Sequence, residues 1–333
     1  MTDNSQRTAY LSAQVEAIHR NLRFLEVVAT QPIGLMTDVK SLRESISTAS
    51  SAEERDRHAF LDVTGRGKDP RPTGIGACKV ALDTMKLVSA LTPDGSATLS
   101  SEWMSRAEKV LSRVIDRLGR DIRQAAASVF DGIYVIVDPE HTNGRSAIEV
   151  AAAALAGGAC AIQLRDKSGS RHKTLDTAAR FQEMCSKAGA VFIVNDWVDI
   201  AALVGADGVH VGQKDIPLEE ARKLLNPAAV IGTSNALQQE ALDSESEGAD
   251  YIAVGAMFPT GTKQDTRPAG VETLRQVKQS VGVPVIAIGG INTGNIGQIA
   301  DAGADAACVA SAVTKADDPE AATRELARIF SRS

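Results

Sequence analysis

Through the first third of the chain, apolar positions recur at three- and four-residue steps, and no alternating run interrupts them. Leu11, Val15, Ile18, Leu22, Leu25 and Val28 form one such stripe, the pattern of a helix with one buried face. A second stripe of Met104, Val110, Leu111, Val114, Leu118, Ile122 and Ala126 predicts a long helix with Ser100 or Ser101 as its N-cap. Shorter helices are expected near residues 36–48 and 77–91. Between them, residues 62–76 (DVTGRGKDPRPTGIG) combine four Gly, two Pro and many charges, which reads as a loop or flexible connector. Its Arg66, Lys68 and Arg71 are expected to be solvated charges.

From Gly132 the period shortens. Apolar or β-branched runs occur at 132–138 (GIYVIVD), 160–165 (CAIQLR), 191–196 (VFIVND), 208–212 (GVHVG), 229–234 (AVIGTS), 251–255 (YIAVG), 284–290 (PVIAIGG) and 307–313 (ACVASAV), each followed by a helix-like segment. Eight strand–helix units in about 200 residues predict a (βα)8 TIM barrel near the lower size limit of that fold. The near-continuous apolar runs suit parallel strands covered by helices. The expected organisation is therefore α/β, with an all-helical N-terminal domain over residues 1–128 and a TIM-barrel domain over 129–333.

Charge follows the same division. Residues 1–129 carry 18 basic against 16 acidic side chains, a net +2, and residues 130–333 carry 18 against 26, a net −8. Neither half has the strongly basic face of a nucleic-acid binder. No run approaches the roughly 18–20 apolar residues of a membrane span, and the start MTDNSQRTAY lacks a signal-peptide core. No membrane association and a cytoplasmic location are expected. Cys78, Cys160, Cys185 and Cys308 are widely spaced and read as buried thiols.

In a barrel of this kind, chemistry sits at the C-terminal ends of the strands. Strand two ends in Gln163-Leu164-Arg165-Asp166-Lys167, and alternation puts Gln163, Arg165 and Lys167 on one face. An amide and two cations there suit an anionic substrate with a polar ring. Strand three ends at Asn195-Asp196 and strand four leads into Gly212-Gln213-Lys214-Asp215. Two carboxylates on neighbouring rims repel unless a cation or proton lies between them. A Mg²⁺ held by Asp196 and Asp215 and by substrate phosphate oxygens fits; the alternative for Asp196 is a cap on the helix that follows. Strand six opens into residues 256–270 (AMFPTGTKQDTRPAG), where Thr260, Thr262 and Lys263 can donate to phosphate from a covering loop. Gly289-Gly290 after strand seven and Ala310-Ser311 after strand eight stand where such barrels cradle a phosphate with backbone N–H groups.

Six motifs in order, Gln163-Leu164-Arg165-Asp166-Lys167, Asn195-Asp196, His210-Val211-Gly212-Gln213-Lys214-Asp215, Gly232-Thr233-Ser234, Pro259-Thr260-Gly261-Thr262-Lys263 and Gly289-Gly290-Ile291, resemble thiamine-phosphate synthase. The resemblance spans residues 130–333. It implies an enzyme that couples hydroxymethylpyrimidine diphosphate to a thiazole phosphate with Mg²⁺, forming thiamine phosphate and diphosphate by a dissociative route. It further implies that Asp196 and Asp215 hold Mg²⁺, and that Arg165, Lys167, Ser234 and Lys263 hold the diphosphate and act in catalysis. Gln163 and Asn195 would bind or orient the aminopyrimidine. Thr260, Thr262, Gly290, Ala310 and Ser311 would take the thiazole phosphate. Asp166 stands where the family often has Glu, and Gly-Thr-Ser where Gly-Val-Ser is more usual. His210, inside the strand-four motif, reads as a packed, hydrogen-bonded residue.

The helical half is the departure from the minimal family. Its segment 16–29 (EAIHRNLRFLEVVA) loosely resembles an N-terminal domain fused to some synthases. Its apolar stripes need cover, so packing on the barrel or formation of a homo-oligomer is expected. A sister family on the same barrel, the thiazole tautomerases, uses a His shortly after the strand-five turn, where this chain has Ser234-Asn235-Ala236-Leu237. A non-catalytic thiamine-phosphate sensor would not need a diphosphate clamp with metal ligands. A generic phosphate-binding isomerase would leave the paired aspartates unexplained. The synthase is the favoured reading.

Overall fold

Each of the eight strand-like runs forms a strand, and the strands close in sequence order into one barrel with every neighbouring pair parallel. The computed structural model describes residues 2–28, 33–46, 71–92, 99–259 and 267–331. The chain separates into two compact units, Met1–Ile122 and Arg123–Ser333.

In the first unit the helices are α1 (Thr2–Val28), α2 (Ile33–Glu44), α3 (Arg71–Leu91) and the beginning of α4 (Ser101–Ala127). The two apolar stripes supply its core, with Ile18, Leu22, Leu25, Leu111 and Val114 buried against Val39, Leu42, Cys78, Met85 and Val88. Ser100 is the cap of α4, its hydroxyl accepting from Trp103 N–H at 3.1 Å. Residues 71–76 are helical, where a connector was expected. Pro72 lies in the first turn, where its missing N–H costs nothing, and Gly74 and Ile75 are buried. Arg71 is not a solvated charge, since it donates to the Asp121 carbonyl at 3.0 Å. The remainder of the expected connector, 62–70, lies outside the described residues.

The barrel unit runs β1 (Gly132–Val137), α5 (Ala147–Ala156), β2 (Ala159–Leu164), α6 (Arg171–Ala188), β3 (Val191–Asn195), α7 (Val198–Val204), β4 (Gly208–Val211), α8 (Leu218–Leu224), β5 (Val230–Asn235), α9 (Gln238–Ser246), β6 (Tyr251–Val254), α10 (Gly270–Ser280), β7 (Val285–Ile288), α11 (Ile296–Asp301), β8 (Ala306–Val309), α12 (Ser311–Thr314) and α13 (Pro319–Phe330). The last strand is shorter than its apolar run. It stops at Val309, and Ser311–Thr314 turns into a short helix, because an apolar run alone does not distinguish a strand from a buried helical turn.

Alternation sorts the strand residues into two layers. Ile133, Val135 and Val137 face the surrounding helices, while Tyr134 and Ile136 face the barrel interior. The interior is unusually aromatic and polar. Phe130, two residues before β1, packs on Tyr134 and Tyr251 with ring centroids 5.8 and 4.7 Å away. Gly232 on β5 makes room for Tyr251: a Cβ there would lie 1.9 Å from the phenol ring.

Three aspartates fix the opposite end of the barrel from the site. Asp207, Asp250 and Asp305, each just before an even-numbered strand, accept the N–H of Phe192, Ile231 and Val285 at 2.9, 2.8 and 2.7 Å. Asp250 also holds Arg123 at 2.8 Å and Arg222 at 2.5 Å. These contacts serve stability, since the chemistry of such barrels lies at the other end.

Of the four thiols, Cys78, Cys185 and Cys308 are buried, whereas Cys160 is only partly so. Among the described residues no helix is long and apolar enough to cross a membrane.

Candidate active site

A cavity of about 870 Å³ opens at the C-terminal ends of the strands. Its floor is apolar, with Ile136, Ala253, Ile288 and Cys308 contributed by the inward faces of β1, β6, β7 and β8. Its walls are polar. Arg165, Lys167, Asp215, Ser234, Gly290, Ala310 and Ser311 all line it, so residues dispersed over almost 150 positions of sequence meet at one mouth.

Arg165 follows β2 and is held by Asp138, which follows β1, through an Nη1 to Oδ2 contact of 2.5 Å. The strand register explains the pairing: Val137 lies opposite Leu164, so the next residues of the two strands emerge side by side. Asp138 is buried, and a charged hydrogen bond in such surroundings fixes the guanidinium firmly. Asp166, on the other face, is structural. Its carboxylate accepts from Gly169 N–H at 2.7 Å and Thr174 Oγ1 at 2.9 Å, closing the turn that carries Lys167.

Lys167 Nζ lies 3.3 Å from Asp196 Oδ2. Asp196 does not itself line the cavity, but it touches Lys167 and Asp215, which do. Burial, and then the neighbouring Asp215 carboxylate, raise the Asp196 carboxyl above its ordinary range, against the opposing pull of Lys167. Its backbone is left-handed, with φ of 61°, an uncommon conformation outside glycine that concentrates at functional sites. Helix α7 takes Trp197 as its N-cap, with no side-chain cap bond; Asp196 is therefore not spent on capping. Asp215 accepts Gly212 N–H at 2.7 Å through Oδ2.

Two hard carboxylates pressed together, one with its charge disfavoured by the other, form a donor set suited to Mg²⁺, which takes one or two carboxylates and completes its shell with water and phosphate. Asn195, beside Asp196, is buried at the end of β3. Gln163 is buried within the barrel and donates to Tyr134 Oη at 2.7 Å.

Ser234, near the end of β5, lies 2.9 Å from His210 Nε2 through its hydroxyl, and its carbonyl accepts Gln213 Nε2 at 2.9 Å. Gly289 and Gly290 have φ of 104° and 68°. A Cβ on Gly290 would lie 2.6 Å from the Pro259 carbonyl. Phe258 N–H donates to the Gly289 carbonyl at 3.0 Å, and Asn295 Nδ2 to the Gly290 carbonyl at 3.0 Å. Across planar trans peptides the N–H groups of Gly290 and Ile291 then point away from those two carbonyls. Thr260, Thr262 and Lys263 lie outside the described residues.

A scan against protein families matches residues 133–313 to the family described as thiamine monophosphate synthase. The chain belongs to this family. The thiamine-phosphate synthase of Shouchella clausii is 45% identical over 195 residues, 58% of this chain and 93% of that protein. That of Moorella thermoacetica is 44% identical over 202 residues, 60% of this chain and 96% of that protein. Among solved structures, the thiamine phosphate pyrophosphorylase from Pyrococcus furiosus superposes with a TM-score of 0.58 at 38% identity, covering 62% of this chain and 98% of its own. The chain is thus an enzyme, a transferase of thiamine biosynthesis, and the likeness covers the barrel unit.

Seen as a thiamine monophosphate synthase family site, the cavity contains groups that the sequence motifs did not single out. Asp138 is one; its position one rung beyond Val137, opposite Arg165, was the available signal. Glu240 is another, paired in two-pronged fashion with Arg267 at 2.6 and 2.9 Å. These partners lie 27 residues apart, and no local pattern announces them.

Proposed function

We propose that the barrel couples 4-amino-5-hydroxymethyl-2-methylpyrimidine diphosphate with 4-methyl-5-(2-phosphoethyl)thiazole, or its carboxylate, to give thiamine phosphate and diphosphate. The observation that carries this reading is the convergence of Arg165, Lys167, Asp215 and Ser234 on one cavity, with Asp196 behind it in contact with Lys167 and Asp215, in a chain of the thiamine monophosphate synthase family. The two cations and the hydroxyl suit a highly anionic leaving group, and the two carboxylates would suit a divalent cation bound with it.

The reaction breaks the bond between the pyrimidine methylene carbon and the diphosphate oxygen, with the electron pair leaving on diphosphate. The thiazole nitrogen then donates its lone pair to the methylene cation, and a C–N bond forms. Arg165, Lys167, Lys263 and the Ser234 hydroxyl stabilise the charge that gathers on the departing diphosphate. Each such donor is worth on the order of 3 kcal/mol of barrier. Asp196 and Asp215 would hold a Mg²⁺ ion, which would supply Lewis-acid neutralisation of the same charge. Gln163 and Asn195 orient the aminopyrimidine. Thr260, Thr262, Gly290, Ala310 and Ser311 hold the thiazole phosphate, so that its nitrogen waits behind the breaking bond. No side-chain nucleophile takes part. Both substrates are water-soluble anions, and the cytoplasm is the compartment we assign to the reaction.

The test is formation of thiamine phosphate and release of diphosphate from the two purified substrates, with Mg²⁺ or with EDTA, for the wild-type chain and Asp196→Ala. Product that depends on Mg²⁺ and is lost in the variant supports the reading. A folded wild-type protein that forms no product overturns it.

A further inference from the structure

Five side chains from five strands form one hydrogen-bonded chain through the barrel interior. Gln163 Nε2 on β2 lies 2.7 Å from Tyr134 Oη on β1. Tyr134 Oη lies 3.3 Å from Tyr251 Oη on β6, and Tyr251 Oη lies 3.0 Å from His210 Nδ1 on β4. His210 Nε2 lies 2.9 Å from Ser234 Oγ on β5. Four of the five are buried, Tyr251 completely, and only Ser234 reaches the cavity.

Proton counting gives this chain a direction. Each phenol has one O–H to donate, a neutral imidazole has one N–H, and an amide NH₂ can only donate. Gln163 donates to Tyr134, and the buried Tyr134 O–H finds its acceptor in this network by donating onward to Tyr251. Tyr251 donates in turn to His210 Nδ1. With Nδ1 accepting, the imidazole proton stands on Nε2 and is given to Ser234 Oγ. The Ser234 hydroxyl, accepting from His210, keeps its own proton for the cavity. Burial raises the pKa of both phenols well above the ordinary tyrosine value, so they remain O–H links. Their ring stacking leaves little rotational freedom: Tyr251 packs on His210 with centroids 5.7 Å apart, and Gly232 lets it lie there.

We propose that His210 is a positioning residue, held by Tyr251 as the Nε2–H tautomer so that Ser234 presents a hydrogen-bond donor, not a lone pair, to the phosphate oxygens of the leaving group. The proposal rests on the reading of Ser234 as a diphosphate contact. The reversed chain would need Gln163 to offer its carbonyl to Tyr134, or would leave the buried Tyr134 O–H without an acceptor in the network. It would also leave Ser234 with lone pairs facing anionic oxygens, which repel them. The device sets polarity from inside the barrel, where the donors cannot exchange partners with water, and it costs no reorganisation as charge develops.

The tautomer can be read directly by long-range ¹H–¹⁵N NMR on the full chain carrying ¹⁵N-histidine, with the His210 signals assigned by their loss in His210→Asn. The expected result is a protonated Nε2 and a bare Nδ1; a protonated Nδ1 in the wild type overturns the proposal. Titration with inorganic diphosphate and Mg²⁺ should then shift the His210 signals in the wild type and leave them in place in Ser234→Ala. A shift in a protein that makes no thiamine phosphate would overturn the synthase reading while supporting this one. In turnover, Tyr251→Phe is expected to lower kcat about tenfold with Ser234 present and to have no further effect in Ser234→Ala. Equal losses in both backgrounds would show a merely structural role and overturn it. Tyr134→Phe provides the same comparison one link further away if Tyr251→Phe does not fold.

Discussion

Asp138 and Arg165 leave adjacent strands one residue beyond their last paired rung, and the buried carboxylate takes the guanidinium at 2.5 Å. Arg165 is therefore held in place before any substrate arrives. Asp138→Asn keeps the shape of the contact and removes its charge. The expected outcome is a KM for the pyrimidine diphosphate raised about tenfold, equivalent to about 1.4 kcal/mol, with little change in KM for the thiazole phosphate. Steady-state kinetics with each substrate varied in turn decides; equal effects on both would show that Asp138 does not act through Arg165.

The Asp196–Asp215 pair yields a prediction about metal. Replacing either carboxylate by its amide removes the mutual repulsion and half of the proposed charged ligand set. Asp215→Asn is expected to require at least tenfold more Mg²⁺ for half-maximal rate, and EDTA to abolish turnover of the wild type. An unchanged Mg²⁺ titration in the variant would remove Asp215 from the metal site.

Gly290 combines a left-handed backbone with a close carbonyl neighbour. Gly290→Ala adds backbone strain of about 1–3 kcal/mol and moves either Pro259 or the Gly290 turn. Weaker binding of the thiazole phosphate, with the pyrimidine KM nearly unaffected, is the expected kinetic signature. Calorimetric binding of each substrate would reveal it, and parallel weakening of both would argue that the turn does not belong to the thiazole side.

At the far end of the barrel, Asp250→Asn strands two guanidiniums, those of Arg123 and Arg222. Breaking a largely buried charge pair costs about 3–5 kcal/mol. The variant should unfold at lower denaturant concentration while its kcat, measured well below its melting temperature, stays near that of the wild type. A kcat that falls with stability preserved would contradict the separation of the two ends.

Periodicity made the barrel legible because its strands are buried on both sides and its helices on one, so the two periods alternate cleanly along residues 132–330. The helical unit was legible for the same reason, except where Pro72, Gly74 and Gly76 made a helical turn look like a loop. Strand-end positions could be read for Arg165, Lys167 and Asp215, which the fold brings to one cavity. What could not be read were pairings between residues distant in sequence. Asp138 needed the β1–β2 register, Glu240 and Arg267 pair across 27 positions, and the Tyr134–Tyr251 contact spans 117 positions. His210 was legible as a packed, hydrogen-bonded residue, but its contacts with Ser234 and Tyr251 reach 24 and 41 positions along the chain, beyond any local pattern.

Gly232 has no chemical group to offer, yet the ring of Tyr251 occupies the space a methyl would take. A substitution there would push on an aromatic side chain two hydrogen bonds away from Ser234. The tolerance of the enzyme to mutation is therefore not graded by distance from the cavity: a position that looks like ordinary filling can behave as a dial on the reaction. Attempts to harden this barrel by enlarging its small interior residues would meet that limit first at Gly232.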